Sequence, residues 1–183
     1  MEQTLETRLE MSDFVGFWKR ILVSLLDFII LAIPAYYLSR WSLASAENYN
    51  SLIPLLLEWV ALAAFNIFMV VKYGGTPGRL LLKTRIVNGS GAYPTVKQSV
   101  IRYSLYLINS LLAVVITSNE KMISSLSGYF SDWANLNNGL NEILGLIIIA
   151  DCLIIVVTRY NRALHDMMAG TYVVNKAALD ELK

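Results

Sequence analysis

The sequence holds few of the residues on which disulfide frameworks, metal centres and hydrolytic sites are built. It contains one cysteine, Cys152, and one histidine, His165, among 183 residues. A lone cysteine excludes a disulfide within the chain, and this pair provides no metal-ligand spacing. The sequence also shows no nucleophile with a neighbouring base and no phosphate-binding loop. We therefore expect neither an enzyme nor a protein that requires a cofactor.

Charge is also scarce, whereas apolar residues are abundant and gathered into runs. Charged residues make up 16% of the chain and hydrophobic residues 56%, with a mean hydropathy of +0.51. Four runs have the roughly 20 residues that a helix needs to cross ~30 Å of hydrocarbon. They are Phe14–Leu38, Leu52–Val71, Gln98–Thr117 and Leu140–Thr158. Because these runs are apolar nearly all round, we expect an all-α membrane protein, a bundle of four transmembrane helices.

The basic residues are distributed asymmetrically around these runs. If both termini are cytoplasmic, thirteen of the fifteen Lys and Arg residues lie on the inner side. Only Arg40 and Lys121 then lie outside. This asymmetry favours a multi-pass protein of the plasma or inner membrane, with both termini in the cytoplasm. Beside apolar spans, a basic inner surface indicates contact with anionic lipid rather than with nucleic acid.

The loop between the second and third runs predicts secondary structure on the inner face. Gly74–Gly78 ends one helix and starts a short amphipathic helix, with Thr76 as the cap and Pro77 first. Thr84–Val87 reads as a strand that either returns through a hairpin at residues 92–93 or pairs with a second strand, Thr171–Val174. We expect a membrane domain over residues 13–175, between polar tails at residues 1–12 and 176–183.

Several motifs around the spans occur together in one known family. They are Gly16-Phe17-Trp18-Lys19-Arg20 with Asp27, Gly75–Arg79, Arg85–Gly89, Arg102, Arg162–Asp166 and Ala169–Val174. Over about residues 14–175 they resemble the RDD family of small membrane proteins, which is named for one arginine and two aspartates. The resemblance places the first two on Arg20 and Asp27, and the third on Asp166, with Asp151 as the alternative. It implies a transport role, which is sodium/proton antiport in some members.

Each apolar run also carries one polar side chain at a similar distance from a basic residue. These side chains are Asp27, Asn66, Asn109 and Asp151. The sequence separations put them roughly 9–12 Å above the inner interface, at 1.5 Å per residue. Carboxylate and amide oxygens suit a hard cation, and a carboxylate for which a proton and a cation compete is the minimum needed for exchange. We expect an ion- or proton-binding site there, unless these groups only hydrogen-bond the helices together.

His165 and Asp166 follow the last run, where a histidine that titrates near neutral pH is suited to relay protons. The alternative is structural, with Asp166 paired to Arg20 or capping a turn. We predict a cation- or proton-coupled transporter similar to a Na+/H+ antiporter, with membrane lipid and a monovalent cation or proton as partners. Four helices barely enclose a pathway, so we expect a homo-oligomer. The alternative function is a non-transporting accessory or scaffold subunit in which the family's arginine and aspartates are structural cross-links.

Overall fold

The protein is mostly helical, with one small sheet. The computed structural model describes residues 5–121 and 124–181, and the side chains of all of these except residues 117–138. The helices are α1 (Leu5–Arg8), α2 (Phe17–Tyr49), α3 (Ile53–Tyr73), α4 (Pro77–Leu81), α5 (Val96–Lys121), α6 (Ser124–Ile154), α7 (Leu164–Ala169) and α8 (Lys176–Glu181). The strands are β1 (Thr84–Asn88) and β2 (Thr171–Asn175).

Three helical stretches within the described residues are long and apolar enough to cross a membrane. They are Phe17–Tyr49, Ile53–Leu81 and Val96–Ile116. In each stretch, at most 17% of the 18 consecutive residues with the highest hydropathy are buried inside the protein. Most of the apolar side chains therefore point outward. A bilayer accepts such a surface, whereas water does not. The prediction of a membrane protein with apolar spanning helices is confirmed, and the fourth predicted run falls mainly within α6.

Local signals in the sequence set several of the helix ends. After α3, Gly74 adopts a φ of +72°, and its N–H donates to the carbonyl of Val70 at 2.9 Å. This left-handed conformation ends a helix, and a residue with a side chain would be strained in it. Pro77 occupies the start of α4, and Gly170 ends α7 with a φ of +62°. The predicted break between Tyr73 and Pro77 is therefore present.

The two strands pair with each other in antiparallel orientation, with Ile86 opposite Val173 and Val87 opposite Tyr172. The predicted pairing of the two distant strands is confirmed, whereas the predicted hairpin return at residues 92–93 is wrong. The side-chain oxygen of Asn88 accepts from the N–H groups of Ser90 and Ala92 at 3.0 and 3.1 Å. The N–H group of Ala92 is therefore bonded within a turn, whereas in a hairpin it would be available for hydrogen bonds between strands.

Both faces of the sheet are covered by apolar side chains because successive strand residues point to opposite sides. One face carries Leu5, Phe14, Val87, Tyr172 and Val174. The other carries Val15, Val70, Ile86 and Val173. Leu5 in α1 is 1% exposed and Ala178 in α8 is 5% exposed. Segments predicted as polar tails thus contribute buried side chains. We call α1, β1, α7, β2 and α8 together the sheet module.

The chain divides into two compact units. The first comprises Met1–Leu31, Phe65–Ser104 and Ile149–Lys183, and it contains the sheet module. The second comprises Ala32–Ala64 and Leu105–Ile148. Within the second unit, the buried hydroxyl of Ser42 donates to Glu58, and the indole N–H of Trp59 donates to Ser110 Oγ at 2.9 Å. Hydrogen bonds between polar side chains therefore link helices within this unit.

Candidate functional site

A fully buried carboxylate, Asp166, lies in the first turn of α7 and is paired with two arginines. Arg20 Nη1 donates to its Oδ2 at 2.6 Å, and Arg102 Nη1 contacts its Oδ1. The backbone N–H of Ala163 also donates to Oδ2 at 3.0 Å. A buried carboxylate is costly unless it is paired and hydrogen-bonded. Asp166 meets that requirement while it caps its own helix.

The two arginines are themselves buried and held by further hydrogen bonds. Arg20 donates through Nε to the carbonyl of Val15 at 3.1 Å and through Nη2 to that of Asn161 at 2.5 Å. Arg102 Nη1 also lies 2.9 Å from the hydroxyl of Thr171 at the start of β2. The planar guanidinium offers several donors in fixed directions, which suits such a junction. The first turn of α2 and the second turn of α5 are in this way tied to the sheet module.

A second buried carboxylate, Asp151, binds His165. Asp151 is 1% exposed and lies near the end of α6. Its Oδ1 accepts from the backbone N–H of His165 at 2.8 Å, and its Oδ2 lies 2.5 Å from His165 Nδ1. On the other side of the ring, Nε2 lies 3.7 Å from Asp166 Oδ1. The imidazole therefore lies between two buried carboxylates.

Burial lowers the pKa of His165 from 6.5 to about 4 because the charged imidazolium would lose its hydration. The nearby charge of Arg102 lowers this pKa further, whereas the hydrogen bond to Asp151 and its charge oppose the shift. At neutral pH the ring is therefore neutral. We assign its proton to Nδ1, because Asp151 accepts there. Arg20, Arg102, Asp151, His165 and Asp166, which we call the buried charge cluster, then balance in charge.

Asp27, the charged residue within the apolar part of α2, binds the first turn of α4. Its Oδ1 accepts from the backbone N–H of Gly78 at 2.7 Å, and its Oδ2 from the hydroxyl of Thr76 at 2.5 Å. The carboxylate acts as a helix cap supplied from another helix. A Cβ on Gly78 would lie 2.7 Å from the carbonyl oxygen of Val23. Only glycine therefore permits α4 to approach α2 this closely.

The other two predicted ion ligands are amides, one in α3 and one in α5. Asn66 is half-buried in α3. Asn109 is half-buried in α5, in the second compact unit, and its Oδ1 is a buried atom without a hydrogen-bond partner among the described residues. Among the described residues, no group of three or more His, Cys, Asp or Glu side chains is arranged to hold a metal ion. An ion-binding role for Asp27, Asp151, Asn66 and Asn109 stays a prediction.

The structural alternative considered for Asp166 is present, because Asp166 both pairs with Arg20 and caps a turn. Asp151 is bound to His165, and the assignment of Asp166 as the second aspartate of the motif stays a prediction. Several contacts were not predicted, among them Arg102 with Asp166, His165 with Asp151 and Gly78 with Asp27. The signal for the contact of Gly78 was available, because the first backbone N–H groups of a helix need an acceptor.

Comparison with known proteins gives one family match. The sequence model of the RDD family matches residues 14–170, a range that includes Arg20, Asp27 and Asp166. No curated protein and no solved structure matches the chain. Because the family match covers most of the sequence, from the residues before α2 to the end of α7, the chain belongs to the RDD family.

Proposed function

We propose that this protein is a four-span transporter of the plasma membrane, with both termini in the cytoplasm, that couples a monovalent cation to a proton. Three apolar helices and the apolar, outward-facing residues of α6, such as Ile143, Leu146 and Ile149, support four spans. The excess of Lys and Arg on one side supports the orientation. Because four helices enclose little space, the proposed working unit is a homo-oligomer.

The position of His165 between two buried carboxylates is the observation that supports the proposed coupling to a proton. Nδ1 lies 2.5 Å from Asp151 Oδ2, and Nε2 lies 3.7 Å from Asp166 Oδ1. A proton added at Nε2 would lie on the side of Asp166, and the proton on Nδ1 is already shared with Asp151. An imidazole with an acceptor on each side can take a proton at one nitrogen and release one at the other.

The charge balance of the buried charge cluster supplies a reason for coupling. With His165 neutral, two arginines and two aspartates cancel. Protonation of the ring adds one buried positive charge, which is costly where water is scarce. A cation near Asp151 or Asp166 would add the same charge, so proton and cation exclude each other. Such competition for one set of carboxylates is what exchange requires.

A second candidate is a membrane accessory or scaffold subunit that transports nothing. The observation that favours it is the bonding of Asp27, whose two oxygens both accept hydrogen bonds from the first turn of α4. Asp166 is likewise engaged on both oxygens, by a hydrogen bond from Arg20 at Oδ2 and by the ion pair with Arg102 at Oδ1. In this candidate the family's arginine and aspartates fix the long helices to α4 and to the sheet module. The sheet module would then present its surface to a partner.

Proton flux in liposomes separates the two candidates. The purified protein is reconstituted with a pH-sensitive dye inside, and Na+, K+ or Li+ is added outside. We expect cation-dependent proton flux in the wild type, its loss in His165→Gln and Asp151→Asn, and its retention in Glu142→Gln. Glu142 is an exposed carboxylate of the same helix as Asp151 and serves as the control.

The transporter and the accessory subunit predict different results in this assay. If the folded wild type moves no protons with any of the three cations, the transporter proposal is wrong and the accessory subunit stands. If His165→Gln and Asp151→Asn retain the wild-type flux, transport stands but the proton does not pass through His165.

A further inference from the structure

The sheet module contains a cavity of about 380 Å³ that the proposed function does not use. Its walls come from α1, from the loop that follows β1, and from α8. A volume of this size lies within the range of small-molecule sites in proteins. None of its lining residues belongs to the buried charge cluster.

The cavity is lined by more positive than negative charge. Arg8, Arg85 and Lys176 contribute three positive charges, and Asp180 contributes one negative charge. The formal balance is therefore two positive charges within a concave site. Such a site concentrates anions because field lines are focused in a cleft with low-dielectric walls. A phosphate monoester, which carries a charge of about −1.5 to −2 at pH 7, matches this balance.

Arg85 provides a specific donor for such an anion. It points to the same sheet face as Val87, because the two are separated by one residue of β1. Its Nη1 donates to the carbonyl of Thr84 at 2.8 Å. Its Nε is a buried atom without a hydrogen-bond partner among the described residues. A buried charged donor that lacks an acceptor is uncommon. Because Arg85 lines the cavity, a bound anion that draws the guanidinium towards it would supply one.

The loop that forms one wall is held in a fixed conformation. Asn88 Oδ1 accepts from the hydroxyl of Ser90 at 2.7 Å, in addition to the backbone N–H groups of Ser90 and Ala92. Gly91 adopts a φ of +85°, which a side chain would disfavour. The backbone N–H of Leu5 donates to the carbonyl of Gly89 at 2.9 Å and holds the loop against α1. A wall that is already ordered loses little conformational entropy when a ligand binds.

Tyr93 and Arg85 meet over Gly74 at the side of the cavity. A Cβ on Gly74 would lie 2.6 Å from Tyr93 Cε1 and 3.1 Å from Arg85 Cδ. Both side chains are therefore packed tightly against the backbone at the end of α3. Tyr93 remains 43% exposed. It offers an apolar surface beside the basic groups for the part of a ligand that carries the anion.

We infer that this cavity binds the phosphate group of a phosphorylated small molecule or of a lipid headgroup, with Arg85 and Lys176 as its principal cationic ligands. The two sources share one chemistry, a tetrahedral anion recognised by guanidinium and ammonium donors. The inference goes beyond the transport proposal, because the cavity and the buried charge cluster have no residue in common.

Two binding measurements on the purified full-length protein test the inference and separate the sources. Inorganic pyrophosphate is titrated calorimetrically into the protein in an uncharged detergent. Retention of phosphatidylglycerol and of phosphatidylcholine is compared by native mass spectrometry. We expect Arg85→Gln and Lys176→Gln each to weaken binding about tenfold, which is the usual effect of losing one charge-assisted contact.

Lys97→Gln is the matched control, because Lys97 is an exposed lysine at the start of α5 that does not line the cavity. It should change binding less than twofold. Saturable binding of pyrophosphate that depends on Arg85 and Lys176 identifies a soluble phosphorylated ligand. Retention of phosphatidylglycerol alone, with the same dependence, identifies a headgroup.

The inference is overturned if neither probe binds saturably, or if Lys97→Gln weakens binding as much as Lys176→Gln does. Equal retention of phosphatidylcholine and phosphatidylglycerol, without pyrophosphate binding, also overturns it. Should Arg85→Gln fail to fold, Lys176→Gln decides the question, because Lys176 is exposed and its loss leaves the packing intact.

Discussion

Replacing Gly78 by alanine tests whether Asp27 holds α4 against α2. The added Cβ would lie 2.7 Å from the carbonyl oxygen of Val23 and 3.0 Å from the backbone nitrogen and Cγ of Asp27. Two of these three atoms belong to the backbone of α2, which cannot yield without distortion of the helix. We therefore expect α4 to move away and the hydrogen bond from the Gly78 N–H to Asp27 to be lost.

The size of the effect follows from three contributions to the free energy of unfolding. Overpacking of this kind costs about 1–3 kcal/mol, and loss of a hydrogen bond to a charged group costs about 1.5–3 kcal/mol. Alanine in place of glycine restores about 0.4–1 kcal/mol by restricting the unfolded chain. The balance is a loss of about 3 kcal/mol, which lowers the unfolding temperature by about 6–12 °C in a protein of this length.

The assay is thermal unfolding of the purified protein in detergent, followed by tryptophan fluorescence. Gly89→Ala is the control, because a Cβ there meets no atom within 4 Å and should change stability by less than about 0.5 kcal/mol. Asp27→Asn should destabilise, and its effect should not add fully to that of Gly78→Ala, since both act on one contact. Equal unfolding temperatures for the Gly78 and Gly89 variants would refute the proposed contact between α4 and α2.

Three further predictions concern buried polar groups. Arg102→Gln removes one cation from Asp166 and should cost about 3–5 kcal/mol in detergent unfolding; an unchanged unfolding temperature would contradict their contact. His165 should contribute stability that is complete above pH 6.5 and lost as the pH falls towards 4, about 2 kcal/mol by pH 5, because the unfolded chain takes up the proton first. Wild type and His165→Gln should therefore differ in their pH profiles, and identical profiles would contradict the lowered pKa. Ser42→Ala deprives Glu58 of a buried donor and should cost about 1–2 kcal/mol; a neutral result would show that the bond contributes nothing.

The fold could be predicted where the signal is local. An apolar run of about 20 residues indicates a spanning helix by itself, and α2, α3 and α5 contain the predicted runs or most of them. Gly74 and Pro77 mark a helix end and a helix start through backbone geometry alone. The pairing of β1 with β2 was one of two alternatives, because the sequence of a strand does not show which other segment it pairs with.

The partners of the charged residues could not be predicted in the same way. The position of Asp27 in its helix predicts a depth in the membrane, but its partners Thr76 and Gly78 lie about 50 residues further along the chain. Depth along one helix does not show which other segments of the chain lie beside it. The structure instead brings α4 to the carboxylate. Similarly, α1 has only Leu5 as a buried residue, and one apolar side chain is too little to show a period.

These contacts change which residues can decide between transport and a structural role. Both oxygens of Asp27 hold α4, so a loss of flux in Asp27→Asn is expected from displacement of α4 even if no ion ever binds there. Asp151 and His165 bind each other across a separation of 14 residues, and the ring nitrogen in that contact is a group that can carry a proton. Their side chains therefore test the movement of a proton more directly than the side chain of Asp27 does.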